Sequence, residues 1–149
     1  MTSVGVLLVL LEAAATLFMA GVLWTMQILN YPLLSLVGQE AFPEYEGRHN
    51  HRFGLVVFPG VLVAFFAAIG LLIARPDRLP IWAPAGEVLL LVVIVVSTAT
   101  LQAPQHGRLA AGFDAAAHQF LVRSNWIRVA AWSVAGLLAL WMSTRSVMG

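Results

Sequence analysis

Val88-Leu89-Leu90-Leu91-Val92-Val93-Ile94-Val95-Val96 is nine consecutive apolar residues, and its reading decides the fold. Its β-branched residues would suit a buried strand, but the run lies inside a longer apolar stretch, Ile81 to Leu101. A stretch of about 20 apolar residues fits a helix crossing roughly 30 Å of hydrocarbon, and a strand needs only half that length. Three more such stretches surround it: Val4 to Leu29, Phe53 to Ala74, and a span entered near Trp126. The composition agrees. The 149 residues are 60% hydrophobic and 10% charged, with a mean hydropathy of +0.88, whereas a soluble domain carries about 25% charged residues. The expected fold is all-α, a four-helix transmembrane bundle in one domain over 1–149, with spans near 4–29, 53–74, 81–101 and 125–143. The first stretch lacks the basic start of a signal peptide and is too long for one.

The connections are unequal. Arg75-Pro76-Asp77-Arg78-Leu79-Pro80 is a tight turn that admits only an antiparallel neighbour. Residues 30–52 and 102–125 form two long connections, which alternation of the chain puts on one side. Each holds a stretch read as an interfacial segment, Leu33 to Val37 with Phe42 and Tyr45, and Leu109 to Val122. Each begins near a Gln and a Pro (Gln27/Pro32, Gln102/Pro104) and ends at an arginine (Arg52, Arg128), a pattern that hints at duplication of one helical hairpin. Trp24 and Trp126 are expected near one membrane face, Trp82 and Trp141 near the other, with Trp132 packed inside.

Cysteine and lysine are both absent. The first absence excludes disulfides, thiolate ligands and thiol redox relays. A net charge of +1 gives no reason to expect nucleic acid as a partner. All four histidines, His49, His51, His106 and His118, fall on the side of the long connections. Glu46 and His49 form E-x-x-H, which on a helix sets a carboxylate and an imidazole on one face. Asp114 stands four before His118 and could orient its ring or act as co-ligand. His106 follows the third span. These residues suggest a transition-metal site (Fe, Cu or Zn) held by His49, His106 and His118, with Glu46 as fourth ligand or proton-transfer group and Asp114 as a further metal ligand or the group that orients His118. Bis-histidine haem fits less well, because the histidines sit beside helix ends. Arg128, Tyr31 and Gln102 would position substrate oxygens. The plainer alternative is that the histidines are interfacial packing residues with wet polar tips.

Within the spans, Glu12 reads either as a proton-relay group or as a neutral packing carboxyl. Glu87 reads as an acid favoured by a helix start, and Asn125 as the cap of the fourth helix.

Trp24-x-x-Gln27-x-x-x-Tyr31-Pro32-Leu33, Phe42-x-x-Tyr45-x-x-x-His49-x-x-Arg52, Thr100-x-Gln102-x-Pro104-x-His106-x-x-Leu109 and His118-x-x-Leu121-Val122-x-x-Asn125-Trp126-Ile127-Arg128 together resemble a group of uncharacterised bacterial four-helix membrane proteins. Pro104, Leu109 and the Asn125/Trp126/Arg128 entry to the last helix are also distantly similar to the anthrone oxygenase-like membrane family. That second resemblance implies an oxygenase acting on a hydrophobic, aromatic or quinone-like substrate. The expectation is therefore a His-ligated, metal-dependent oxidoreductase in a bacterial inner membrane, in either orientation. Its partners would be the bilayer and a hydrophobic small molecule, with self-association open. The rival class is a non-catalytic scaffold, complex subunit or small-ligand carrier.

Overall fold

The computed structural model describes residues 3–147, which are almost wholly helical, with no strand among them. Helix α1 covers Ser3–Thr25, α2 Phe42–Ala74, α3 Trp82–Ser97, α4 Ala103–Leu109 and α5 Ala115–Val147. α1 continues through a π-turn (Met26–Asn30) and two short turns to Leu36, and a second π-turn (Thr98–Gln102) joins α3 to α4. Four helical stretches are thus long and apolar enough to cross a membrane. In the bundle α1 packs beside α2 and α5, and α3 closes the ring between α2 and α5.

Two boundaries differ from expectation. α2 starts at Phe42 instead of Phe53, and α5 at Ala115 instead of near Trp126. Residues 42–52 and 115–124, expected within the two long connections, are instead the first turns of these two 33-residue helices. Each helix is therefore about 50 Å long, and each start is locally defined. Pro43 occupies the first turn of α2, where its missing N–H removes no bond. Gly112 turns the chain with φ 148 before α5, a backbone that side chains rarely adopt. Asp114 then caps α5, accepting from the amides of Ala116 and Ala117 at 2.9 and 3.0 Å. α2 ends where Arg75 is extended before Pro76.

The π-turns have a common cause. Each is followed closely by a proline, Pro32 or Pro104. A proline leaves the carbonyl four residues back without its N–H, and a widened turn takes up the misfit.

Small residues set the close approaches. A Cβ on Gly60 would stand 2.7 Å from Met19 Sδ, and one on Gly5 2.7 Å from the Ala74 carbonyl oxygen. Both lie on the α1–α2 seam, so these helices touch along their far halves. Trp132, 1% exposed, packs with Met19, Leu23 and Leu91 in the middle layer. Trp24 and Trp126 meet edge-on at one end, 5.5 Å between centroids, and Trp82 and Trp141 stack at the other, 5.1 Å apart.

Glu12 and Glu87 are both fully buried and reach toward each other from the diagonal helices α1 and α3. Among the described residues no donor reaches their four oxygens. Two carboxyls so placed can hydrogen-bond only by sharing a proton. Glu87 is therefore part of a buried pair and not simply a helix-start acid. Replacing Glu12 with Gln supplies an N–H to Glu87. Glu12→Gln is expected to raise stability by about 1–2 kcal/mol, read as a higher unfolding midpoint in detergent. A lower midpoint would mean that both carboxyls are required.

Candidate functional site

Four polar pairs, one from each part of the bundle, meet at the end where α1 and α3 finish and α2 and α5 begin. The pairs are Gln27/Tyr31, Glu46/Asn50, Gln102/His106 and Asn125/Arg128, each spaced three or four residues apart. That spacing puts both members on one helix face, and here the face is the inner one. Tyr31, Glu46, Gln102 and Asn125 are fully buried, Gln27 is 3% exposed and Arg128 6%.

The pairs form a connected network. His106 Nδ1 donates to Glu46 Oε1 at 2.6 Å, and Asn50 Nδ2 donates to the same oxygen at 3.1 Å. With its proton on Nδ1, the ring presents its Nε2 lone pair 3.4 Å from the Tyr31 hydroxyl. Arg128 Nη2 donates to that hydroxyl at 2.9 Å, so the phenol proton is free to turn toward His106. Arg128 Nε donates to Asn125 Oδ1 at 2.8 Å. Asn125 Nδ2 donates to Gln27 Oε1 at 2.7 Å, and Gln27 Nε2 to the Val122 carbonyl at 3.1 Å. Asn125 is therefore not a helix cap. It lies ten residues inside α5 and holds the guanidinium.

Two features of this network stand out chemically. Arg128 forms no ion pair among the described residues, although it is buried. Gln102 Oε1 accepts from Ser97 Oγ at 3.1 Å, but Gln102 Nε2 has no acceptor among the described residues. Both residues, with His106 and Asn50, line one end of a cavity of about 480 Å³. Apart from Thr98, whose hydroxyl is tied to the Ile94 carbonyl, the rest of its wall is apolar, including Met19, Leu23, Val57, Val61, Ile94 and Trp132. Gly54, Val95 and Ala99 line it and are exposed, so its mouth faces outward between α2 and α3.

The expected metal-ligand set is divided. His49 comes near His106, with 6.3 Å between ring centroids, and its Nε2 is buried without a partner. His118 is engaged elsewhere, its Nε2 donating to the Tyr31 carbonyl at 2.7 Å. Asp114 does not orient the His118 ring. It caps α5 and receives Arg108 Nη2 at 2.9 Å. Among the described residues no three His, Cys, Asp or Glu side chains are grouped so as to hold a metal ion. Of the four residues expected to carry catalysis, Glu46, Arg128 and Tyr31 belong to the network with His106, and Gln102 faces the same cavity. Gln27, Asn50 and Asn125 were missed as members of the site, though the inward pairs offered a signal for all three.

No protein-family model, curated protein or solved structure matches the chain.

The amide of Ala117, with the Arg108 guanidinium and the amide of Ala116, holds the Asp114 carboxyl below the usual carboxylate range. A lowered value means that the ionised cap supports the fold above the unfolded-state pKa of about 4. That support disappears as pH falls through the folded-state value. In hydrogen exchange corrected for intrinsic rates, the first turn of α5 should keep its protection from pH 7 to about 4 and lose it below. Asp114→Ala should lose that protection across the whole range.

Proposed function

We propose that the chain is an integral membrane protein whose four long helices cross the bilayer, and that its cavity binds a hydrophobic carbonyl compound or phenol. The observation that carries this reading is Arg128, a buried guanidinium without a carboxylate, at the polar end of an otherwise apolar cavity. An uncompensated buried cation favours an anion or a developing negative charge beside it.

The chemistry that suits this arrangement is proton abstraction. Glu46 orients His106 and fixes its tautomer, as a carboxylate does for a general base. His106 Nε2 takes a proton from the substrate and returns a solvent-exchanged one to the same carbon, while Tyr31 holds the ring and the guanidinium in register. Arg128 and the free Gln102 N–H bind the oxygen on which negative charge collects. The cavity wall excludes water and holds the hydrophobic body of the substrate, which enters from the lipid between α2 and α3. An oxidation of the resulting anion, as the distant oxygenase resemblance implies, would need an electron acceptor in addition. A metal serving that role would have to be held by His49, His106 and Glu46, which are not grouped as one centre. Metal analysis separates this version from the acid–base one.

The test is deuterium uptake from D2O at the α-carbon of a hydrophobic ketone such as 2-tetralone, followed by NMR with the purified protein. His106→Ala should slow protein-dependent exchange by about 10²–10⁴-fold, and Arg128→Gln by about 10²–10³-fold. A chelator should leave the rate unchanged. Ketone binding without faster exchange would favour the carrier class. Exchange abolished by the chelator and restored by one metal would favour the metal-dependent chemistry.

A further inference from the structure

A second pair of cavities lies along the seam of α2 with α1, away from the α2–α3 mouth of the inner one. The seam is closed in its far half, where Gly60 meets Met19 and Gly5 meets Ala74. Toward the polar end it opens, and a Cβ at Gly21 would have nothing within 4 Å. The gap holds a groove lined by Leu17, Phe18, Gly21 and Val22 of α1 with Phe53 and Val56 of α2.

Directly above it is a cup of about 460 Å³ that shares Met26, Phe53 and Val56 with the groove. The cup's polar lining is Asn30, Tyr45, Arg48, His49 and Arg52. Tyr45, His49 and Phe53 stack as a column along α2, with centroids 6.3 and 5.7 Å apart. Arg48 pairs with Glu44 at 2.6 Å. Arg52 has no ion-pair partner among the described residues, so the cup carries net positive charge. Asn30 Oδ1 is buried and lacks a hydrogen-bond partner among the described residues.

We infer that this basic cup and the apolar groove beneath it bind one anionic phospholipid with a hydroxylated headgroup, of the phosphatidylglycerol type. The phosphate lies against Arg52 and Arg48, a headgroup hydroxyl reaches Asn30, and an acyl chain follows the groove past Gly21. Charge and shape agree on this occupant. A free phosphate would leave the groove empty, and a zwitterionic lipid would place an ammonium beside the two guanidiniums. The inference rests on the helices crossing a bilayer, and it is independent of the chemistry in the inner cavity.

Carbonate extraction of the expressing membranes tests the bilayer reading by itself, because a chain released from them does not span. The lipid site is then tested by native mass spectrometry of the full chain in mild detergent, given equal amounts of chain-matched phosphatidylglycerol and phosphatidylcholine. The wild type should retain phosphatidylglycerol about tenfold over phosphatidylcholine. Arg48→Gln with Arg52→Gln should remove that preference. Gly21→Leu, which fits the open notch, should reduce retention of both lipids. Circular dichroism should show both variants folded. Glycerophosphoglycerol, the headgroup without chains, should not displace the bound lipid at millimolar concentration. Equal retention of the two lipids by the wild type, or a preference unchanged in the double arginine variant, overturns the site. Displacement by the headgroup alone overturns the role of the groove.

Discussion

A guanidinium buried among apolar helices must be hydrogen-bonded wherever it points, because its charge cannot be removed at any ordinary pH. Arg128 meets this constraint with Asn125 and Tyr31 and no carboxylate. Asn125 is held in turn by Gln27, and Tyr31 stands against His106, which Glu46 holds. One buried charge thus organises side chains from α1, α2, α4 and α5, and it leaves the positive end of that network facing the cavity. Removing any member would strand a polar group in an apolar interior, which costs more than the bond itself contributes.

The backbone serves the same arrangement. The π-turns after α1 and α3 rotate the following residues, and each lies just before a buried or half-buried polar group that the network uses, Tyr31 or His106. Similar devices recur in the two halves of the chain, with a Gln in the π-turn, a proline after it and a long helix entering beside it. The partners they serve differ. Gln27 is fully used in tying α1 to α5, whereas Gln102 keeps a free donor for the cavity.

The four long helices were legible from the sequence because length and apolar content are sufficient to specify them. The starts of α2 and α5 were not, since apolarity fades before the helix does. Residues such as Glu46, Arg48 and His118 hide continuous helix behind a polar composition. The site was legible in part. Glu46, His106, Arg128, Tyr31 and Gln102 were all singled out, but E-x-x-H directed attention to His49, whereas the Glu46 carboxylate bonds His106, sixty residues away. A carboxylate's partner depends on which helix lies opposite, which local spacing does not encode. Asp114 and His118 have the right separation for mutual contact, yet the N-terminus of α5 claims the carboxylate and the Tyr31 carbonyl claims the ring. The more general signal was the inward polar pair, repeated once in each part of the bundle.

With the His106 proton on Nδ1, Arg128, Tyr31, His106 and Glu46 form one directed chain of hydrogen bonds from guanidinium to carboxylate. The most direct measurement is the ¹⁵N chemical shifts of the His106 ring in the membrane-embedded protein, by solid-state NMR. The neutral ring is expected to carry its proton on Nδ1, toward Glu46, with Nε2 bare toward Tyr31 and the cavity. A neutral ring protonated on Nε2, or one exchanging equally between the two tautomers, would contradict that chain.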